Sequence, residues 1–201
     1  ARPRWFLATL LFPAGATTEE SVARLFAQLT EACEELEVSL VGGHTEITHG
    51  LSRPLIVGTM LGEVERDKLV TTGGARVGDA VVLTKGVPLE GACIIARERE
   101  AELLARGVPA ATIRRAKAFL RAPGISVLPE AEIACELATV HAMHDATEGG
   151  LATALHELAA ASGVGLRIDR DRIAILPEAA AICGAFGLDP LGTLASGALL
   201  L

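Results

Sequence analysis

Seven consecutive residues, His144-Asp145-Ala146-Thr147-Glu148-Gly149-Gly150, place two carboxylates, a hydroxyl and two glycines between an apolar run and a helical one. Val140 to Met143 reads as a short buried strand, and Leu151, Leu155, Leu158 and Ser162 recur at helical spacing beyond it. A strand that turns straight into a helix aims the free N–H groups of the first helical turn, and the positive end of the dipole, at an anion. Gly149 and Gly150 would let a polyphosphate approach the backbone, and Asp145 with Glu148 could hold Mg²⁺, which favours carboxylate and phosphate oxygen. A second reading fits the same residues: Asp145 or Thr147 as the helix N-cap, with Glu148 as favourable charge in the first turn.

A second glycine-acid cluster, Val41-Gly42-Gly43-His44-Thr45-Glu46, follows the short strand expected over Ser39 to Val41. If the chain stays extended there, His44 and Glu46 share a face and could both reach a metal or a phosphate oxygen. Otherwise Gly42-Gly43 is a turn and His44 an ordinary surface residue. Thr84-Lys85-Gly86 with Leu89-Glu90-Gly91 has the form of a strand-to-helix turn carrying a lysine. It lacks the Gly-Lys-Ser/Thr of a phosphate-binding loop, so a plain turn with Gly91 packed closely against its surroundings competes with a phosphate role. Asp189-Pro190 is a turn signal, and His141 and His156 read as ordinary element residues, whereas His144 beside Asp145 is placed to line the site. Nothing marks a nucleophile: Gly-x-Ser-x-Gly and tyrosine are absent and no cysteine has a histidine nearby, so no catalytic residue is assigned.

These clusters need elements to hold them. Trp5 to Phe12 is a strand, Thr17 with Glu20 forms a capping box, and Val22, Leu25, Phe26, Leu29, Cys33 and Leu36 make one buried helical stripe. Pro54 to Glu63 is β-rich, so strand, helix, strand, strand gives an α+β layer over residues 1–66. A charged and glycine-rich stretch over 67–79 is the linker. Over 80–201 strands are expected at Ala80 to Thr84, Val140 to Met143, Gly165 to Ile168 and the C-terminus. Helices are expected at Leu89 to Gly107, Pro109 to Leu120, Pro129 to Ala138, from Leu151, and at Pro177 to Phe186. The alternation predicts an α/β second domain.

Half of the 201 residues are apolar, which is ample core material. The apolar runs are too short or too glycine-broken to span a bilayer and no leader segment opens the chain, so the reading is a cytoplasmic protein with no membrane partner. A formal charge of −7 argues against general nucleic-acid binding while leaving nucleotides open. Cys33, Cys93, Cys135 and Cys183 are widely spaced and read as free buried thiols. A strand almost at residue 1 and an apolar end at Leu201 suggest a fragment of a longer protein.

Taken in order, Val41 to Glu46, Leu69-Val70-Thr71-Thr72-Gly73-Gly74-Ala75, Gly78-Asp79, Leu83 to Gly86, Leu89 to Gly91 and His144 to Leu151 resemble the aminoimidazole ribonucleotide synthetase superfamily. Its members include thiamine monophosphate kinase, selenophosphate synthetase and the hydrogenase maturation factor that dehydrates a carbamoyl group, whose synthetase-related cousins the chain matches best. The resemblance implies a two-domain α/β architecture, a homodimer formed by the N-terminal layers, and ATP with Mg²⁺. It assigns metal to Asp145 and Glu148 and puts Thr147, Gly149 and Gly150 near the nucleotide, with Gly42, Gly43 and Thr45 as the first domain's counterpart. Most members carry Gly-Gly-Asp-Thr where this chain has His44, which leaves Glu46 or a different metal geometry to compensate. It also implies upstream acidic, glycine-rich segments and a terminal cysteine that these 201 residues lack. The small-molecule substrate is not identified by any residue here. Two functions follow: an ATP-dependent enzyme that phosphorylates or dehydrates a small amide or carbonyl compound, or a non-catalytic dimeric scaffold that keeps the fold.

Overall fold

In the first compact unit, Ala1–Leu69, β1 (Arg2–Pro13), α1 (Glu19–Glu35), β2 (Ser39–Thr48) and β3 (Leu55–Glu63) follow one another. The structure is a computed structural model describing residues 1–201. The strands form one sheet in the order β2-β1-β3, with β1 parallel to β2 and antiparallel to β3. A parallel pair needs a long crossover, which α1 supplies. The cap of α1 lies one residue later than the sequence suggested: Thr18 Oγ1 accepts from the Ser21 N–H at 3.2 Å and Ser21 Oγ from the Thr18 N–H at 3.1 Å. Thr17 is unavailable for that role because its hydroxyl donates to the Pro13 carbonyl at 2.7 Å. The predicted stripe of α1 is real. Val22, Leu25, Phe26 and Leu29 pack on Ala8, Leu10 and Phe12 of β1.

The glycine pair does not end β2, as the sequence suggested, but lies within it. At Gly43 (φ +136) a Cβ would fall onto the Ala8 carbonyl of β1, so only glycine fits this contact. The register also slips between Phe6 and Leu7: Phe6 pairs with Leu40 but Leu7 with Gly42, skipping Val41. Without the slip His44 would stand opposite Leu10, on the α1 side. With it, His44 and Glu46 stand opposite Thr9 and Leu11, facing away from α1. That outer face also carries Trp5, Leu55, Val57 and Leu61, all exposed.

The second unit, Val70–Leu201, contains α2 (Glu90–Glu98), α3 (Glu100–Ala105), α4 (Ala110–Lys117), α5 (Leu128–Leu137), β4 (His144–Asp145), α6 (Gly150–Ser162), α7 (Pro177–Phe186) and β5 (Leu199–Leu200). One core joins Leu89, Ala92, Ala96, Leu103, Ile113 and Ile182. A second joins Ala146, Leu151, Ala154, Leu158, Ala198 and Leu200. The helix expected over Leu89 to Gly107 is broken at Arg99 (φ −125, ψ 27), beyond which Leu103 returns to the first core. Three expected strands are corrected. Ala80 to Thr84 is an extended stretch held to the C-terminus by bonds between Val82 and Leu201 and from the Thr84 N–H to the Leu199 carbonyl. Val140 to Met143 gives way to a strand that starts at His144, and Gly165 to Ile168 forms none. Ala80 to Thr84 and Val140 to Met143 make only isolated bridges, Leu83 to Leu200 and Ala142 to Thr71, and Gly165 to Ile168 has no ladder partner alongside. The mixed α/β class read from the sequence is the class observed.

Leu10, 2% exposed under α1, is the test of this packing. Leu10→Ala is expected to lower the unfolding free energy by about 2–4 kcal/mol. Urea denaturation measures it, and a loss below about 1 kcal/mol would show that α1 is not the anchor of the sheet.

Candidate functional site

The turn from β4 into α6 is held mainly by backbone. β4 pairs antiparallel with β5, His144 opposite Leu200 and Asp145 opposite Leu199. The Ala146 N–H donates to the Ala198 carbonyl at 3.2 Å, and the Thr147 carbonyl accepts from the N–H groups of Ala195 at 3.3 Å and Gly150 at 3.1 Å. Neither Asp145 nor Thr147 caps α6, so the capping reading fails. The N-cap is Gly149, in the left-handed region with no side-chain cap bond. The Ala152 N–H donates to Leu191 O at 3.0 Å, so the first turn of α6 is less open to an anion than the sequence suggested. Gly150 (φ +65) is glycine because a Cβ would strike the backbone of Leu191 to Thr193; the close approach it permits is made by the protein itself.

What the turn offers is a positioned carboxylate. Asp145 is exposed, and its Oδ2 accepts from Thr147 Oγ1 at 3.1 Å, which fixes the carboxylate and leaves Oδ1 for another partner. Glu148 is exposed on the same turn. Nowhere in the chain do three or more His, Cys, Asp or Glu side chains gather as a metal cage. Mg²⁺ is usually held by only one or two carboxylates with substrate phosphates and water, so an exposed Asp145 beside Glu148 suits that ion.

In the first unit, His44 Nε2 lies 3.4 Å from Glu46 Oε2 on the outer face of β2. Both side chains are more than half exposed, and such a surface pair adds little stability. Gly42, Gly43 and Thr45 share that strand.

Lys85 is not a phosphate ligand in waiting. Its side chain is 9% exposed and its ammonium bonds the carbonyls of Gly124 (3.0 Å) and Ser126 (2.6 Å) and the Glu130 carboxylate (3.1 Å). Three partners use all three donors, so the plain-turn reading holds and the lysine anchors the chain before α5. Gly91, whose N–H donates to Leu194 O, packs against Thr193 and Leu194. Asp189 closes a turn through the Leu191 N–H at 3.0 Å. Cys33, Cys93 and Cys183 are buried and free, and burial pushes the Cys183 thiol up, away from thiolate reactivity. Cys135 departs from expectation by being exposed on α5.

Sequence reasoning missed a polar network behind the turn. His144 Nε2 lies 2.8 Å from Glu157 Oε2 and Nδ1 3.4 Å from Thr72 Oγ1, while Ser162 Oγ donates to the Thr72 carbonyl at 3.1 Å. His141 Nδ1 meets both oxygens of Asp79, at 2.9 and 3.0 Å. The Arg76 backbone N–H, donating at 2.8 Å, and next the His141 side chain hold the Asp79 carboxyl below its ordinary value of 3.8. Apart from the local Arg76–Asp79 bond, the partners lie 13 to 90 residues apart in sequence, beyond any local pattern.

Two family models cover nearly the whole chain: AIR synthase related protein, N-terminal domain, over residues 1–64, and AIR synthase related protein, C-terminal domain, over residues 76–201. A putative hydrogenase expression/formation protein from Methanocaldococcus jannaschii is 29% identical over 95% of this chain and 53% of its own length. The carbamoyl dehydratase HypE of Cupriavidus necator is 29% identical over 100% and 54%. The chain thus spans about half the length of the curated relatives it matches. Among solved structures, E. coli HypE superposes with a TM-score of 0.82 at 21% identity, covering 100% of this chain and 58% of that one. HypE in complex with ATP gives 0.76 at 23%, covering 100% and 56%. No helix is long and apolar enough to cross a membrane.

A carboxyl held below its ordinary value in the folded state adds stability above the unfolded value, and that stability is lost as pH falls through the folded value. Wild type should therefore melt above Asp79→Asn at pH 5 to 7, and the gap should close as the pH drops below 3.8. Calorimetric melting across that range checks this, and a gap that widens in acid would contradict it.

Proposed function

Since the chain belongs to the AIR synthase related proteins, we propose that the whole protein uses ATP and Mg²⁺ to activate the oxygen of a small amide or carbonyl substrate. The relatives named for hydrogenase formation and carbamoyl dehydration support this direction. The observation that carries it is Asp145: an exposed carboxylate at the mouth of a strand-to-helix turn, oriented by Thr147. Dehydrating an amide requires its oxygen to leave, and phosphorylation converts that oxygen into a good leaving group. Phosphoryl transfer asks the protein mainly for alignment and charge neutralisation. In this reading Asp145 and Glu148 hold the cation when it is bound, and Thr147 and Gly149 lie along the nucleotide, while Gly150 is taken up by the protein's own backbone. Gly42, Gly43 and Thr45 do so in the first unit, with Glu46 and His44 standing in for the usual aspartate. The functional division is a domain over 1–66, a linker over 67–79 and an α/β domain over 80–201. The protein is placed in the cytoplasm, and its −7 charge argues against a nucleic-acid partner.

The outer face of the β2-β1-β3 sheet supports a homodimer. An apolar face this exposed, with Val57 at 59% and Leu61 at 46%, marks a surface that another protein covers. One observation favours a second function. His44 spends its contact on Glu46, and imidazole is a poor Mg²⁺ ligand, which suits a dimeric scaffold that binds nucleotide without turnover.

Titration calorimetry of the intact protein with MgATP is expected to show binding that Asp145→Ala weakens at least about tenfold, or about 1.4 kcal/mol. Equal affinity in the variant would remove Asp145 from the site. Phosphate released in the presence of substrate supports the enzyme, and binding without release supports the scaffold. Val57→Asp, which buries a charge in the proposed interface, is expected to yield a monomer by sedimentation equilibrium. A variant that sediments as the wild type would place the interface elsewhere.

A further inference from the structure

β4 is only two residues long, paired with two residues of β5, and a ladder so short gives a poor hold on the direction of a side chain it carries. Asp145 sits at its end. On its C-terminal side the chain is pinned by buried Ala146, whose N–H reaches Ala198 O. On its N-terminal side the pin is a side chain: His144, mostly buried, bridges Glu157 in α6 and Thr72 in the stretch that opens the second unit.

The chemistry of the partners fixes the imidazole. The Glu157 carboxylate accepts only, so Nε2 carries a proton towards it, while Nδ1 lies 3.4 Å from the Thr72 hydroxyl, which is also within 3.4 Å of the Met143 carbonyl. Thr72 is itself held, because its carbonyl accepts from Ser162 Oγ, which in turn accepts from the Ala75 N–H at 3.2 Å. Adjacent residues of a strand point to opposite faces, so an imidazole fixed on one face fixes the exposed Asp145 carboxylate on the other. Glu157 lies in the helix that the turn enters, so the His144–Glu157 contact ties the start of the turn to the body of α6.

We propose that His144 and Glu157 are positioning residues for the Asp145 turn: they touch no ligand, but staple the strand to α6 so that the carboxylate is held ready for its cation. The part concerning a cation rests on the functional reading above; the staple itself does not. The test therefore has two readouts on the full protein. Without ligand, hydrogen exchange at the Ala146 and Gly150 amides is expected to speed up about fivefold in Glu157→Ala, and to stay near wild type in Glu157→Gln, whose carbonyl still accepts from Nε2–H. With MgATP, affinity is expected to fall about fivefold in Glu157→Ala and to return in Glu157→Gln. His144→Gln, which keeps a donor towards Glu157, provides a second conservative variant and is expected to follow Glu157→Gln. Unchanged exchange in Glu157→Ala, or Glu157→Gln as perturbed as Glu157→Ala, overturns the staple. If wild type binds no MgATP, the functional reading falls while the exchange result still decides the positioning role.

Discussion

The backbone of residues 191–200 lies directly against the turn from Asp145 to Ala152, and the site in the second unit exists because of that contact. Leu191, Ala195 and Ala198 all make main-chain bonds to it, Leu199 and Leu200 pair with its strand, and Gly150 has no side chain because Leu191 to Thr193 pass where a Cβ would be. The residues that meet there are small: Ala146, Ala195 and Ala198 are wholly buried. Such an arrangement brings backbone to backbone and leaves the acidic side chains as the variable outer surface. The same contact explains why α6 starts without a side-chain cap. Two of its first N–H groups find neighbouring main chain instead, Gly150 at the Thr147 carbonyl and Ala152 at the Leu191 carbonyl.

In the first unit the comparable constraint is the one-residue slip between β1 and β2. It decides which face of the sheet His44 and Glu46 join, and so separates them from the α1 core and sets them among Trp5, Val57 and Leu61. An ion pair on that bare face is cheap to keep while the face is wet. A partner covering it would have to accommodate or release that pair, since burying charges costs more than a surface pair returns.

The two units thus present acids in different ways. Asp145 stands on a turn oriented by a hydroxyl on one side and stapled by an imidazole on the other. Glu46 stands on an edge strand with only His44 beside it. A carboxylate that must meet a cation and a phosphate gains from being held in advance, because orientation supplied by the fold need not be supplied on binding. By that measure the second unit is the better prepared of the two.

The sequence by itself determined the elements whose cause is local. The α1 stripe, the helix over Pro177 to Phe186, the strands at Trp5 to Phe12 and Pro54 to Glu63 and the mixed α/β class all follow from periodicity and breakers within a short window. The ordered glycine-acid clusters carried the resemblance to the family that the two family models show. Tertiary structure alone decided whatever depends on a partner distant in sequence. Gly42-Gly43 looks like a turn until the Ala8 carbonyl of the neighbouring strand is seen to require glycine at position 43, and Lys85 looks like a phosphate ligand until Gly124, Ser126 and Glu130 occupy it. Gly165 to Ile168 looks like a strand but has no neighbour to pair with. Main-chain and side-chain hydrogen-bonding groups must find partners wherever they are buried, and residue types at short spacing carry no record of which distant groups will meet them.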